Sequence, residues 1–260
     1  MKERIYTIPI NEAFDQDTEC PLCVCEKKLE DDALEYAVGP AMMEPDCRIE
    51  TNRTGFCSNH FVKLYHIQNE RLPLALVIDT HMAEQIKNLE EIYLRNKKEI
   101  EALRNKKHLE AFSENFKGKK KSVAGKTIEE LLNRLAQLKE TCAICRKLDD
   151  NMDKLLDNTL YLYREEPQFK KKFIESKGFC LRHLEVLLAK ARQVFTPVIQ
   201  AEFLAQLLPL ELSELKRVNE EVNHFTKMFD YRNSGADWKN SRDAVPRSIE
   251  KLTGTWNINY

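Results

Sequence analysis

Glu19-Cys20-Pro21-Leu22-Cys23 is followed, with 33 residues between Cys23 and Cys57, by Gly55-Phe56-Cys57-Ser58-Asn59-His60. The pattern then recurs. Cys142-Ala143-Ile144-Cys145 is followed, with 34 residues between Cys145 and Cys180, by Gly178-Phe179-Cys180-Leu181-Arg182-His183. The copies run in register at an offset of 122 to 123 positions, so the chain contains an internal repeat. The register reaches past these residues, since Pro73 and Pro197 stand 124 positions apart at what reads as the same helix start.

Thiolates at Cys-x2-Cys chelate one ion because a tight turn points both sulfurs inward, and Cys-x2-His on a helix places both side chains on one face. Gly55 and Gly178, two residues ahead of a Cys, give the backbone the freedom to deliver it. Three Cys and one His make a filled tetrahedral set, which describes structural zinc rather than an open catalytic ion. The expected ligands are Cys20, Cys23, Cys57, His60, Cys142, Cys145, Cys180 and His183, with two zinc ions per chain. An iron–sulfur cluster is the less favoured alternative: Cys20-Pro21 and the nearby Cys25 and Cys47 suit it, His ligation does not. Redox use of the Cys-x2-Cys pairs is weaker still, because no βαβ pattern surrounds them. Equal spacing in each half favours closure of each site within its own copy, with an exchange of brackets between copies as the alternative. Cys25 and Cys47 have no counterparts in the second copy and read as packed or surface thiols.

In 260 residues there are only 7 Gly and 9 Pro, which argues for long helices, and 42% hydrophobic residues suffice for a core. The net charge of -1 conceals 32% charged residues, so the molecule as a whole is no polyanion binder. The N-terminal stretch lacks an apolar run of signal-peptide length, and no run of about 18 apolar residues could span a bilayer. A cytoplasmic protein is expected, in which clustered cysteines point to metal rather than disulfides.

An all-α fold is expected, a duplicated zinc-bracket helical unit with long helices forming a coiled-coil-like hairpin. Residues 1–81 read as the first bracket repeat with an extended N-terminal arm at Ile5 to Ile10. Residues 82–141 read as the hairpin with a basic tip, 142–229 as the second repeat and 230–260 as a polar tail. Met82, Ile86, Leu89, Tyr93, Ile100 and Leu103 follow alternating four and three spacings, with Asn96 in one seam position. Thr127 with Glu130 reads as a capping box, after which Ile128, Leu131, Leu135 and Leu138 continue the heptad. Helices are expected at about 148–163, 166–176 and from Cys180, and Pro209 should kink the long helix that begins at Pro197.

The segments ECPLC, GFCSNHFVKLY, LPLALVIDTHM, CAIC, EEPQF, GFCLRHL and FDYRNSGADWKNSRDAVPRSIEKLTG resemble a bacterial family catalogued as domain of unknown function 6062. The likeness covers nearly the whole chain. It implies a soluble, mostly helical bacterial protein with metal-binding brackets, and it supplies no activity and no catalytic residues. Asp79 departs from the pattern, since a His is expected there in relatives, ahead of Thr80-His81.

Outside the brackets, His81 with Asp79, and His66, are candidates for a second ligand or cofactor contact, weighed against ordinary surface or packed histidines. His108 and His224 read as solvent-facing. Between Arg95 and Lys121 ten Lys or Arg stand against four Glu, and Lys117, Lys119, Lys120 and Lys121 could grip nucleic acid, although a solvated face explains such a run as well. Asp230, Tyr231, Arg232, Asn233, Trp238, Asp243 and Arg247 could line a polar pocket or serve as a capping loop. No nucleotide loop, nucleophile elbow or His-Glu-x2-His helix is present, so the reading leans away from an enzyme. The favoured function is a zinc-binding adaptor or scaffold with a protein partner, and a homo-oligomer stays open. An enzyme or cofactor protein with a cleft between the repeats, lined by His81 and the tail, comes second. A nucleic-acid binder comes third.

Overall fold

The computed structural model describes residues 7–67, 71–105, 122–233 and 235–254. Regular structure among them is entirely helical. The chain divides into two compact units: residues 1–30 with 150–260, and residues 31–149. Both division points fall inside helices, Pro21–Val38 and Ala143–Glu165, so each of these begins in one unit and ends in the other.

The first unit is built around aromatic rings. Phe14, Phe169, Phe173, Phe179, Phe203 and Tyr163 are buried together, with Phe14 edge-on to Phe169 at 4.8 Å and Tyr163 edge-on to Phe203 at 5.0 Å. Such pairs contribute about 0.5–1.5 kcal/mol each beyond the area they bury. The helix Thr7–Phe14 supplies Ile10, Ala13 and Phe14 to this core, so the extended arm expected there is, from Thr7 onward, a helix. Pro9 does not prevent it. At the third position of a helix proline lacks only an N–H that would have had no intrahelical partner. The helix Pro197–Lys227 continues through Pro209 as one element. Of the tail, Trp238 packs against Phe225 and Phe229 at 5.8 Å, and the helix Ala244–Thr253 lies on Leu181–Val194 and Pro197–Lys227. Residues 230–233 and 235–254 are thus an ordered wrap.

The second unit has a smaller core of Ala33, Leu34, Ala37, Val38, Phe56, Leu64, Leu74, Val77, Cys142 and Ile144. From it extend the helices Arg71–Arg104 and Val123–Glu140, which pack against each other. Arg134 reaches Gln85 Oε1 and Arg95 lies 3.9 Å from Glu130, an order of pairing that makes the two helices antiparallel. The heptad stripe is only partly their seam: Leu89, Asn96, Ile100 and Leu103 are half-buried, whereas Met82, Ile86 and Tyr93 are 56%, 53% and 46% exposed. Gln85 and Ile92 share the covered side with Asn96, and Gln85, being polar, escaped a reading of apolar periodicity. Ser122 rather than Thr127 caps the second arm, accepting the Gly125 N–H at 3.0 Å. Thr127 sits inside the helix and donates to Val123 O. His108, Phe112, Phe116 and the lysines at 117 and 119–121 lie outside the described residues.

Candidate metal centres

All four brackets use one device. Cys20, Cys57, Cys142 and Cys180 each stand immediately before a helix, at Pro21, Ser58, Ala143 and Leu181, and the second donor follows three residues later within the first turn. For that reason the helix expected from about Leu148 starts at Ala143, the bracket itself forming its first turn. Cys57 and Cys180 occupy N-cap positions, and Cys180 Sγ accepts the His183 backbone N–H. Unpaired N–H groups at a helix start favour anionic sulfur. The turns into Cys57 and Cys180 require glycine. Gly55 and Gly178 have φ of 62° and 72°, and a Cβ would lie 2.6 Å from His81 Nε2 in one case and 2.6 Å from the Glu211 carboxylate in the other.

The brackets are exchanged between copies. Cys20 and Cys23 converge with Cys180 and His183 in the first unit, and Cys57 and His60 with Cys142 and Cys145 in the second. Closure within each copy, which the equal spacings favoured, is therefore not what the structure has. Stiffness supplies the reason: the 18-residue helix after Cys20 and the 23-residue helix after Cys142 carry the chain about 27 Å and about 35 Å from their own brackets, into the other unit. The compact units accordingly do not follow the sequence copies.

In the first set Nδ1 of His183 lies 3.4, 3.3 and 3.2 Å from the sulfurs of Cys20, Cys23 and Cys180, and the Cys23 and Cys180 sulfurs are 3.7 Å apart. In the second, Nδ1 of His60 lies 3.2, 3.2 and 3.3 Å from Cys57, Cys142 and Cys145, with Cys57 and Cys145 sulfurs 3.8 Å apart. These sulfurs are far outside the roughly 2.05 Å of a disulfide, and all are free thiols. Each set could hold a metal ion.

The thiols of each set shift one another's ionisation. Burial pushes the Cys20 and Cys145 thiols up to about 12, and hydrogen bonding with Cys180 raises Cys23. Hydrogen bonds from Cys20 and Cys23 instead lower Cys180. Burial opposes ionisation of Cys142, but its bond with His60 and backbone N–H groups bring it down to about 6. Without an added positive charge each set favours one thiolate and keeps neighbouring sulfurs protonated, because like charges at this distance repel.

Residues that sequence reasoning missed surround the first set. Glu26 Oε2 is 3.5 Å from His183 Nε2, a close polar contact short of an aligned hydrogen bond, and Arg182 grips both oxygens of Glu26. The carboxylate stands on the far side of the ring from the sulfurs, close to Nε2 but without a hydrogen bond to it. The end of the tail helix closes over the cluster: Gly254, at φ 74°, places its carbonyl 3.6 Å from Cys23 Sγ, and a Cβ there would lie 2.9 Å from Cys180 Sγ. Behind it Glu211 and Lys251 are almost fully buried, 3.9 Å apart. Glu211 accepts the Phe179 N–H at 2.7 Å, and Lys251 donates to the carbonyls of Glu19 and Lys177. Their wide sequence separation left no local signal.

Burial pushes the Glu211 carboxyl from 4.5 up to about 7, against the opposing pull of Lys251 and the Phe179 N–H. A raised carboxyl favours the folded state most when protonated, so its contribution is full below pH 4.5 and is lost as pH rises to about 7. Relative to Glu211→Gln, the parent chain is expected to lose roughly 3 kcal/mol across that window. Denaturant titrations of both chains at several pH values check it, and effects of acid on the cysteine clusters cancel in the difference. Parallel pH dependences would contradict it.

The other candidates separate. His81 Nδ1 lies 2.8 Å from Asn52 O, beside Gly55, and joins neither donor set. Neither do Asp79 and His66. Cys25 is buried, and Cys47 lies 3.4 Å from both the Tyr36 hydroxyl and Glu44. Asp230 pairs with Arg232, Asn233 donates to Lys227 O, and Tyr231 is exposed. Asp243 and Arg247 do line a polar cavity of about 670 Å³ in the first unit, with Glu19, Arg217, Glu221 and Lys239. His81 belongs to the other unit and is not among its walls. Arg247 there contacts Glu19, Glu221 and Asp243, and Arg217 contacts Glu19, Glu214 and Glu221, so these arginines are engaged by carboxylates. No helix among the described residues is long and apolar enough to cross a membrane.

A model described as a family of unknown function (DUF6062) matches residues 1–259. No curated protein and no solved structure matches the chain.

Proposed function

The chain belongs to this family of unknown function, and from its own residues we propose a zinc-stabilised, non-enzymatic helical scaffold with two structural zinc sites. One ion is held by Cys20, Cys23, Cys180 and His183, the other by Cys57, His60, Cys142 and Cys145. The observation that carries this reading is the size of the two cages. Zinc–sulfur bonds of about 2.3 Å and zinc–nitrogen bonds of about 2.0–2.1 Å give tetrahedral edges of about 3.8 Å and about 3.5 Å. One sulfur–sulfur edge in each cage, of 3.7 and 3.8 Å, and the sulfur–nitrogen edges of 3.2 to 3.4 Å lie close to these, and all donor atoms of a cage lie within 4.8 Å of one another. Three thiolates and an imidazole fill the tetrahedron, so the ion supplies folding free energy and leaves no position for a substrate.

The scaffold role is supported by the hairpin, where Met82, Ile86, Leu94, Ile128 and Leu132 are exposed among the described residues. Apolar side chains in such an array suit a protein partner. Elemental analysis with an absorption spectrum tests the metal directly. Two zinc per chain and no visible band is the expected result. Iron with a charge-transfer band, or a well-folded metal-free chain, would contradict it.

A second reading, a small-molecule binding protein, is favoured by the polar cavity under the tail. Its charged walls suit a ligand carrying both signs of charge.

A further inference from the structure

The two donor sets are alike in composition and unlike in cover. Cys20, Cys23, Cys180 and His183 are each at most 2% exposed, beneath Gly254. In the other set Cys57 and Cys145 are only half-buried, and Cys142 and Cys145 form part of the wall of a cavity of about 580 Å³ beside Arg53, Arg134 and Arg146. The sulfurs of Cys57 and Cys145 are 3.8 Å apart, and no segment among the described residues closes over them as Gly254 does over Cys23.

We propose that the Cys57–Cys145 edge is a thiol-oxidation site, at which hydrogen peroxide entering this cavity oxidises the two cysteines to a disulfide and discharges the metal. It rests on the zinc reading and adds that one of the two sites is chemically switchable. Cys145 thiolate attacks one peroxide oxygen, the O–O bond breaks, and the departing hydroxide takes a proton to become water. The Cys145 sulfenic acid so formed is attacked by Cys57 thiolate. The sulfur–sulfur bond forms, and the second oxygen leaves as water after taking another proton. In sum two thiolates, one peroxide and two protons give one disulfide and two waters. Zinc keeps its oxidation state and leaves, since Cys142 and His60 alone do not complete its coordination. Peroxide is small enough for the cavity, whose wall carries Arg53, Arg134 and Arg146 together with Glu50, Glu140 and Asp149, Arg146 being paired with Glu50. Closing from 3.8 Å to about 2.05 Å requires only a local shift of the two helix starts.

The test uses the full chain with Cys47→Ser, which removes the other half-buried thiol, loaded with zinc and treated with hydrogen peroxide beside a zinc-sensitive dye. One zinc per chain is expected to leave at least tenfold faster than the other. Peptide mapping should then find a Cys57–Cys145 disulfide, and a dithiol reductant should restore metal binding. Loss of both ions at one rate, retention of both, or disulfides among Cys20, Cys23 and Cys180 at the first release would overturn the proposal while leaving two-site zinc binding intact. A purified chain containing no zinc would instead overturn the zinc reading, and this inference with it.

Discussion

Cys180→Ser is expected to release one of two zinc ions and unfold the unit formed by residues 1–30 and 150–260. Cys180 is fully buried, and its sulfur faces Cys23 at 3.7 Å and His183 at 3.2 Å. Serine at this position offers a poor zinc ligand, and the remaining thiolates would stay buried without their ion. Structural zinc contributes about 10–16 kcal/mol in small zinc domains, against about 5–15 kcal/mol of net stability for a whole domain. Loss of one ion therefore exceeds or rivals what keeps the unit folded. Hydrogen exchange should show lost protection in Thr7–Phe14, Leu181–Val194 and Ala244–Thr253. Cys145→Ser should instead act on residues 31–149, although in the sequence it belongs to the same copy as Cys180. Unchanged thermal stability and full zinc content in either variant would remove the structural role of the cages.

The second large effect concerns the buried pair behind the first cage. Lys251→Met should destabilise the chain by about 3–5 kcal/mol above pH 7, where Glu211 is ionised and would lose its facing cation, and at any pH the carbonyls of Glu19 and Lys177 would lose a donor. Combining it with Glu211→Gln should recover a large part of that loss. Glutamine is neutral and can still accept the Phe179 N–H. A double-mutant cycle by denaturant unfolding measures the coupling, and strictly additive single changes would show that the two side chains do not act as a pair.

The helical class was legible from few Gly and Pro together with apolar spacing, and the eight cage residues were legible from Cys-x2-Cys and Gly-Phe-Cys-x2-His alone. Their pairing was not. Spacings of 33 and 34 residues fix how much chain lies between brackets, not which way a rigid helix carries it. The helices beginning at Pro21 and Ala143 each run from one unit into the other, and this directs each Cys-x2-Cys to the other copy's Cys-x2-His. The tail's role was hidden for a different reason. Gly254 acts through its backbone, a carbonyl against Cys23 and the absence of a Cβ against Cys180, and neither leaves a mark in composition. In the hairpin, heptad arithmetic selected the exposed Met82, Ile86 and Tyr93 along with the half-buried Leu89, Asn96, Ile100 and Leu103, and it missed Gln85, which meets Arg134 of the other arm.

The exchange of brackets is the centre of the account, and cadmium-113 substitution followed by metal-to-proton correlation spectroscopy tests it most directly. Each cadmium resonance reports the cysteine and histidine protons of its own ligands. One resonance is expected to correlate with Cys20, Cys23, Cys180 and His183, and the other with Cys57, His60, Cys142 and Cys145. Correlations joining Cys20 and Cys23 to Cys57 and His60 on one ion would contradict it.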